Sequence, residues 1–306
     1  MADETAGDPI SGLKWTHKSL RKIQKTLATE HSLSLPTLSR LLQGLDYSLR
    51  VNHKRVASKQ SPYRDQQFRY ITRWRQAYLR KRWPVISVDS KKSELIGNFK
   101  QSGLEWRHQR REVNLYDFPN LAQGKAIPYG IYDIAQNQGY VAVGISHDTA
   151  EFAVAAIRSW WLKLGCVLYP GEKHLLIQAD GGGSNGSRRR LWKVALQRFA
   201  DEFALFITVT HYPTGASKWN LIEHRMFSLI SANWRGHPLY SYETILNFIR
   251  TTTSNTGFLC QAELDKTDYQ TGIAVQQQEF DQLLLRKHRR FPDWNYTIFP
   301  RPVGRS

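Results

Sequence analysis

The sequence has little cysteine. Only two of the 306 residues are cysteines, Cys166 and Cys260, and they lie far apart in the sequence and outside any C-x-x-C or Cys/His spacing. This scarcity argues against a structural zinc site or a disulfide framework and indicates a reducing environment. There is also no long apolar run, and the first ten residues, MADETAGDPI, are acidic and polar. We therefore expect neither a secretory signal nor a membrane partner, and we expect a cytoplasmic protein.

Acidic residues are scarce relative to basic ones. The chain has 43 lysines and arginines against 26 acids, a net charge of +17 and a pI near 9.9. Between Gly12 and Arg82 the ratio of basic to acidic residues is much higher, with 17 basic residues against three acids. A solvated basic face would explain part of this excess, but a polyanionic partner explains it better. The composition predicts nucleic acid as that partner and, for a cytoplasmic protein that binds DNA, association with the nucleoid.

The N-terminal region, residues 1–82, is predicted to be a basic helical DNA-binding domain. Residues 16–29 follow a helical pattern, and Ser34 can cap a second helix with Pro36 in its first turn. A helix-turn-helix would bury five leucines and expose four polar residues to DNA. The leucines are Leu35, Leu38, Leu41, Leu42 and Leu45, and the DNA-facing residues are Thr37, Ser39, Arg40 and Gln43. Residues 50–64 form a basic stretch that suits a wing or a linker, and residues 66–82 form a third helix.

Residues 83–306 are predicted to form an α/β catalytic domain with a C-terminal extension. Apolar runs predict strands near residues 85–89, 128–134, 139–146, 174–180 and 204–210, with helices at 147–165, 187–203 and 219–234. Asp148 and Glu151 provide a capping signature for the first of these helices. Three strands that can pair antiparallel, followed by alternating helices and strands, predict a mixed five-stranded sheet flanked by helices. Trp160, Trp161 and Trp192 are expected in the core.

The stretch QADGGGSNGSRRR, residues 178–190, invites a nucleotide-binding interpretation. Gly181, Gly183 and Gly186 have the G-x-G-x-x-G spacing of a dinucleotide fingerprint. That fingerprint belongs after a first strand, however, and here it follows the fourth. Asp180 would also repel a bare phosphate, although a bound divalent cation would make the same carboxylate attractive to it. The glycines are better explained as leaving this carboxylate uncovered for a substrate backbone.

Two further acids occupy comparable positions. Asp89 ends the first apolar strand, and Glu223 borders the apolar stripe of the last helix. Each has an ordinary alternative: Asp89 and Asp180 can cap turns, and Glu223 can pair with Arg225 or Lys218. Three carboxylates on strand one, strand four and the last helix nevertheless follow the order of the metal-binding trio in the RNase H-like fold. There, two Mg²⁺ ions activate in-line attack on a phosphodiester.

Other polar residues near these acids are weaker candidates. Lys91 and Lys92 directly follow Asp89 and are predicted to contact the DNA backbone. Arg188 and Arg189 open a helix, where cations oppose the helix dipole, so phosphate contact and simple solvation remain alternatives. His147 and Asp148 could contact DNA or a metal, but helix capping by Asp148 or Thr149 explains this turn better. His211 either approaches the site or packs under the loop.

The sequence resembles the Rhodopirellula-type DDE transposases, also called the ISAzo-thirteen insertion-sequence family. The resemblance rests on PVISVDSKKSELIGNFK, KAIPYGIYD, VGISHDTAEFAVAAIRSWW, LLIQADGGGSNGSRRRLWKVALQ, KWNLIEHRMFSLISANWRGHPL and WNYTI, and extends from about Gly12 to Pro300. The stretch SKWNLIEH is also similar to the N-P-x-E segment of other DDE transposases, with Asn220 in place and Leu221 where proline is common.

The resemblance implies that Asp89, Asp180 and Glu223 are the D, D and E ligands of two Mg²⁺ ions, for which Mn²⁺ can substitute. It also implies cleavage at the terminal repeats of a mobile element and transfer of the freed strands into target DNA, by a homo-oligomer bound to DNA. Family members usually carry a further N-terminal region ahead of the stretch near Gly12, so a truncated recognition module is expected. A catalytically silent DNA-binding remnant and a nuclease without strand transfer are the alternatives.

Overall fold

The computed structural model describes residues 5–7, 14–16, 18–48, 62–104, 108–213, 215–216 and 219–302. The chain divides into two compact units, Met1–Val56 and Ala57–Ser306. No helix in the described ranges is both long enough and apolar enough to cross a membrane. Most of the predicted wing, residues 50–61, lies outside the described residues.

The first unit contains a short hairpin and two helices. Strand β1 (Thr5–Gly7) pairs antiparallel with β2 (Lys14–Thr16), and helices α1 (Leu20–Leu27) and α2 (Leu35–Gly44) follow. The Ser34 hydroxyl accepts a hydrogen bond from the Thr37 backbone N–H, which confirms the predicted cap. The predicted leucine stripe is partly wrong. Leu38 is buried, but Leu41 and Leu45 are 51% and 67% exposed, because α2 packs within this unit through only one side of the stripe.

The second unit begins with helix α3 (Arg64–Arg80) and continues into the sheet. Its strands are β3 (Val85–Ser90), β4 (Glu94–Ile96), β5 (Gly124–Asp133), β6 (Gln138–Gly144), β7 (His174–Ala179), β8 (Phe206–His211), β9 (Leu259–Asp265), β10 (Leu285–Lys287) and β11 (Asn295–Ile298). Its other helices are α4 (Ala150–Trp160), α5 (Cys166–Leu168), α6 (Arg190–Phe203), α7 (Ser228–Asn233), α8 (Tyr242–Arg250) and α9 (Gln277–Asp281). Pro119–Leu121 forms a 3₁₀ turn, and Trp161–Gly165 and Glu223–Phe227 form π-helical turns.

The centre of the sheet has the strand order β6-β5-β3-β7-β8. Strands β3, β7 and β8 are parallel, whereas β5 is antiparallel to both β3 and β6. This is the topology of the RNase H-like fold, and it confirms the predicted mixed sheet. In the described ranges the sheet has nine strands rather than the five predicted, because β9 extends one edge, β11 and β10 extend the other, and β4 pairs with β5.

Two apolar layers cover the sheet. Helices α4 and α6 pack on one face, and the segment 223–233 with α8 packs on the other. Trp160, Trp161 and Trp192 are buried in the first layer, as predicted. The carboxyl ends of β3 and β7 open between these layers, which leaves the ends of two parallel strands available to build a site.

Helix α3 belongs to the second unit. The side chain of Ile71 is buried against Tyr212, and the Tyr78 hydroxyl donates a hydrogen bond of 2.9 Å to the Thr208 hydroxyl on β8. The predicted DNA-binding domain, residues 1–82, includes this helix. Its apolar and hydrogen-bonding contacts place it with the sheet, while the assignment of DNA recognition to residues 1–82 stays a prediction.

Candidate active site

The parallel register brings Asp89 and Asp180 to neighbouring positions. Val88 on β3 pairs with Ala179 on β7, and an aspartate follows each of them. Since neighbouring strands lie about 4.8 Å apart, the two aspartates leave the sheet side by side at its carboxyl edge. The predicted pair is therefore built by strand ends that are 91 residues apart in the sequence.

Glu223 reaches this edge because a helix packs unusually close to the sheet. Glu223 begins a π-helical turn whose side chains Met226 and Phe227 lie directly on Gly130. Gly130 stands opposite Asp89 in the β3–β5 pairing. A Cβ atom at Gly130 would overlap Met226 Cε and would lie 2.7 Å from Phe227 Cε1, so glycine permits this close approach. π-Helical turns are frequent at functional sites, where they change the direction of side chains.

Asn220 connects the elements that carry the three acids. Its fully buried side chain donates from Nδ2 to the Val88 carbonyl at 3.1 Å and to Asp180 Oδ1 at 3.2 Å. Its Oδ1 accepts a hydrogen bond from the Ser87 hydroxyl, and its backbone carbonyl accepts from the Glu223 N–H at 3.2 Å. Asn220 thus contacts β3, the Asp180 carboxylate and the start of the π-helical turn that carries Glu223. Its spacing before Glu223 is visible in the sequence, but its contacts are not.

The two aspartates are difficult to ionise together. Burial, followed by the charges of Asp180 and Glu223, raises the pKa of Asp89 to about 8, and Asp148 adds to this effect. Burial also raises the pKa of Asp180, to about 6, although the hydrogen bond from Asn220 partly opposes the rise. Partly buried carboxylates that repel one another are typical of sites that perform chemistry or bind cations.

Glu223 lies in a more balanced environment. Burial raises its pKa, while His224 and Lys91 lower it. Lys91 itself is held within the chain, since Nζ lies 2.9 Å from Glu94 Oε1 and 4.6 Å from the centre of the Trp234 ring. Lys91 therefore moderates the acidic site from inside the protein, whatever it contributes to DNA binding. Lys218, the other cation considered as a partner for Glu223, lies outside the described residues.

The chemistry of these ligands fits a hard divalent cation. Asp89, Asp180 and Glu223 present carboxylate oxygens, which Mg²⁺ and Mn²⁺ prefer, and a bound cation would offset both the burial that raises all three pKa values and the like charges that further raise those of Asp89 and Asp180. Among the residues that the structure describes, no three His, Cys, Asp or Glu side chains are close enough to form a ready ligand cage. The three acids are neighbours that influence one another's pKa values without forming such a cage, and their assignment as metal ligands stays a prediction.

Two cavities flank the acids. One, of about 390 Å³, is lined by Lys91, Lys92 and Glu223. The other, of about 420 Å³, is lined by Asp148, Ser184 and the arginines at the start of α6. Lys92, Arg188 and Arg189 are exposed, although Arg189 Nε also donates a hydrogen bond to the Gly183 carbonyl. The DNA contacts of Lys91, Lys92, Arg188 and Arg189 stay predictions.

The predicted recognition residues differ in their exposure. Arg40 and Gln43 are exposed on α2, whereas Thr37 and Ser39 are half-buried. The Thr37 hydroxyl lies 2.8 Å from the Ser34 hydroxyl, at the beginning of the helix. Arg40 and Gln43 are therefore the two predicted DNA-facing residues most accessible to a partner.

The turn before α4 requires one correction. Of the two predicted caps, Thr149 is confirmed and Asp148 is wrong, because the Thr149 hydroxyl accepts a hydrogen bond from the Phe152 N–H. Asp148 instead lines the arginine cavity and raises the pKa of Asp89. His147 Nδ1 lies 3.1 Å from the Tyr269 carbonyl, which fits a structural role.

His211 lies under the site. Its ring is fully buried, and burial lowers its pKa to about 4, so the imidazole is neutral near pH 7. Nδ1 lies 2.8 Å from the Asp180 carbonyl, so His211 both packs below the loop and contacts the site. The two roles predicted as alternatives for His211, an approach to the site and packing under the loop, are both present.

The chain is similar to known transposases in both sequence and fold. The family described as Rhodopirellula transposase DDE domain matches residues 1–300. Among solved structures, a "Mos1 transposase paired-end complex with left transposon end" has a TM-score of 0.43 and 12% identity, covering 80% of this chain and 72% of that chain. A "pre-cleavage Mos1 transpososome" has a TM-score of 0.45 with the same identity and coverage. No curated protein matches the chain.

Proposed function

We propose, because the chain belongs to the Rhodopirellula transposase DDE domain family, that its acidic site cleaves DNA at the ends of an insertion sequence and joins the freed 3′-ends to target DNA. The observation that carries this proposal is the meeting of Asp89, Asp180 and Glu223 at one edge of an RNase H-like sheet. Divalent metal dependence follows from the same three carboxylates.

Asp89, Asp180 and Glu223 would hold two Mg²⁺ ions, with Mn²⁺ as a substitute. Bound divalent cations supply charge neutralisation at the phosphodiester and lower the pKa of the attacking water or 3′-hydroxyl. The protein contributes the orientation of the ligands. Asn220 holds the Asp180 carboxylate through its amide, and Gly130 allows the Glu223 helix to approach Asp89.

The basic residues would hold the substrate across the acids. Lys91 and Lys92 would contact the DNA backbone on one side, and Arg188 and Arg189 on the other, because the two flanking cavities carry these side chains. Arg40 and Gln43, with Thr37 and Ser39, would read the terminal repeats from the helix-turn-helix. Because two element ends must be cut and joined together, we further propose a homo-oligomer that assembles on double-stranded DNA, in the cytoplasm at the nucleoid.

Strand cleavage provides the direct test. A supercoiled plasmid carrying the DNA that flanks the gene is incubated with wild type and with Asp180→Asn, with and without Mg²⁺ or Mn²⁺. We expect metal-dependent nicks at defined positions, joining of the new 3′-ends to a second plasmid, and loss of both in the variant while DNA binding persists. Specific binding without nicking would identify a silent remnant, and nicking without joining would identify a nuclease; either result would overturn the proposal.

A further inference from the structure

A buried chain of hydrogen bonds ends on the backbone of Asp180. Trp192 Nε1 on α6 lies 2.9 Å from the Tyr296 hydroxyl on β11. The same hydroxyl lies 3.3 Å from His211 Nε2 at the end of β8, and His211 Nδ1 lies 2.8 Å from the Asp180 carbonyl. Trp192, Tyr296 and His211 are each at most 1% exposed, so water does not compete for these bonds.

The chemistry of the two ends determines the direction of every bond in this chain. The Trp192 indole N–H can only donate, and the Asp180 carbonyl can only accept. The Tyr296 hydroxyl therefore accepts from Trp192 and donates its single proton to His211 Nε2. A neutral imidazole has one N–H, so His211 carries it on Nδ1 and donates it to Asp180.

The backbone of His211 is held from the opposite side. Gln67 Nε2 on α3 donates to the His211 carbonyl at 2.8 Å. The side chains of Gln67 and Asn295 also exchange two hydrogen bonds, each of 2.9 Å. Gln67 and Asn295 are fully buried. The imidazole is therefore anchored at its own main chain as well as at Nε2, which leaves it no freedom to follow a displacement of Asp180.

Asp180 lies just beyond the regular pairing of the sheet. The carbonyl of Ala179, the preceding residue, accepts from the Tyr212 N–H at 2.8 Å, which continues the pairing of β7 with β8. The carbonyl of Asp180 accepts instead from the His211 side chain, and its carboxylate accepts from Asn220. Two side chains thus determine the orientation of the residue proposed to bind metal.

We propose that His211, fixed as the Nδ1–H tautomer by Tyr296, is a positioning residue that orients Asp180 for metal binding. The proposal rests on the assignment of Asp180 as a metal ligand in the proposed function. His211 does not touch the reacting atoms, so its effect should be seen first in metal affinity. Partners that orient metal ligands typically change metal affinity or activity by about 10- to 100-fold when they are replaced.

Two isosteric replacements separate the roles of the ring nitrogens. His211→Asn keeps an amide N–H near the position of Nδ1, whereas His211→Gln extends the amide toward the position of Nε2. We expect the dissociation constant for Mn²⁺, measured by titration calorimetry, to rise about 10-fold or more in His211→Gln and only about 3-fold or less in His211→Asn. Thermal melting of the metal-free proteins shows whether both variants fold.

Tyr296→Phe tests the tautomer without changing the imidazole. In the wild type, the ¹⁵N resonances of His211, assigned by their loss in His211→Asn, should show a protonated Nδ1. Tyr296→Phe removes the donor to Nε2, so it should produce a mixture of tautomers and weaker Mn²⁺ binding.

Each result bears on the proposal. A wild-type ring protonated on Nε2, or equal Mn²⁺ affinities in His211→Gln and His211→Asn, would overturn it, as would a wild type that binds no Mn²⁺. Failure of the wild type to cleave DNA would instead overturn the proposed function, because the tautomer and the Mn²⁺ affinities are measured without DNA.

Discussion

Replacing Asp89 with asparagine should stabilise the metal-free protein. The folded-state pKa of Asp89 is about 8 and its ordinary value is 3.8. Because the folded state binds the proton more tightly than the unfolded state, stability falls as the pH rises from about 4 to about 8. At about 1.4 kcal/mol per pH unit, ionisation of Asp89 costs at most about 5 to 6 kcal/mol, part of which reflects the same repulsion with Asp180 and Glu223.

The assay is thermal unfolding of wild type and Asp89→Asn at pH 4.5 and pH 8 in the presence of a chelator. Recovery of about 2 kcal/mol or more at pH 8 should raise the melting temperature by about 5 °C or more, and the difference should be small at pH 4.5. The Ser90 N–H donates to Asp89 Oδ1 at 2.8 Å, and asparagine retains that acceptor. Mg²⁺ should stabilise the wild type at pH 8 more than the variant.

A matched control separates this effect from a general loss of negative charge. The carboxylate of Asp201 accepts hydrogen bonds of 2.7 Å from the Arg301 backbone N–H and Nη1. Asp201→Asn should therefore leave the melting temperature unchanged or lower it. If Asp89→Asn were no more stable than the wild type at pH 8, or if its gain were the same at pH 4.5, burial and the neighbouring charges of Asp180 and Glu223 would not raise the pKa of Asp89 as argued.

Three further predictions concern Asn220, Gly130 and the exposed residues of helix α2. Asn220→Ala should lower the free energy of unfolding by about 2 to 4 kcal/mol and should lower the rate of DNA cleavage at least 10-fold. Ser87→Ala should destabilise the protein comparably but retain more cleavage activity, because the hydrogen bond from the Asn220 amide to Asp180 remains. Equal cleavage activity in the two folded variants would contradict this role of Asn220. Gly130→Ala should lower the free energy of unfolding, measured by chemical denaturation, by about 1 to 3 kcal/mol, since the added methyl group overlaps the side chains of Met226 and Phe227. A variant as stable as the wild type would refute this close packing. Arg40→Ala combined with Gln43→Ala should weaken binding to the element's ends by about 10-fold or more but leave random DNA binding nearly unchanged in gel-shift assays; undiminished discrimination would exclude α2 as the recognition helix.

The central sheet could be predicted because its strands are buried on both faces and therefore form continuous apolar runs. The strands at the edges were missed for physical reasons. In β9 the exposed residues Leu259 and Gln261 alternate with the buried residues Cys260 and Ala262, and β4 and β10 have only three residues each. Such segments form strands because they pair with a neighbouring strand of the folded sheet, and this pairing cannot be predicted from the local sequence.

The positions of the acids could likewise be predicted from strand ends, but their supports could not. Asn220 donates to Val88, which is 132 positions away in the sequence, and Tyr296 contacts His211 across 85 positions. Neither pair has a local pattern, since hydrogen bonds of this kind depend on the completed fold. The exposure of Leu41 was missed for a related reason, because a helical stripe identifies an apolar side without showing how much of it is covered.

The attachment of helix α3 to the sheet has a practical consequence for protein engineering. A chimaera that exchanged the proposed DNA-recognition region, residues 1–82, would remove Gln67 and with it the hydrogen bonds that Gln67 makes to the side chain of Asn295 and to the carbonyl of His211. A junction upstream of Arg64 would keep the whole helix with the catalytic unit. Recognition of the element's ends, which we propose for helix α2, should therefore be exchangeable at the boundary between the compact units, near Val56, without altering the residues that support the acidic site.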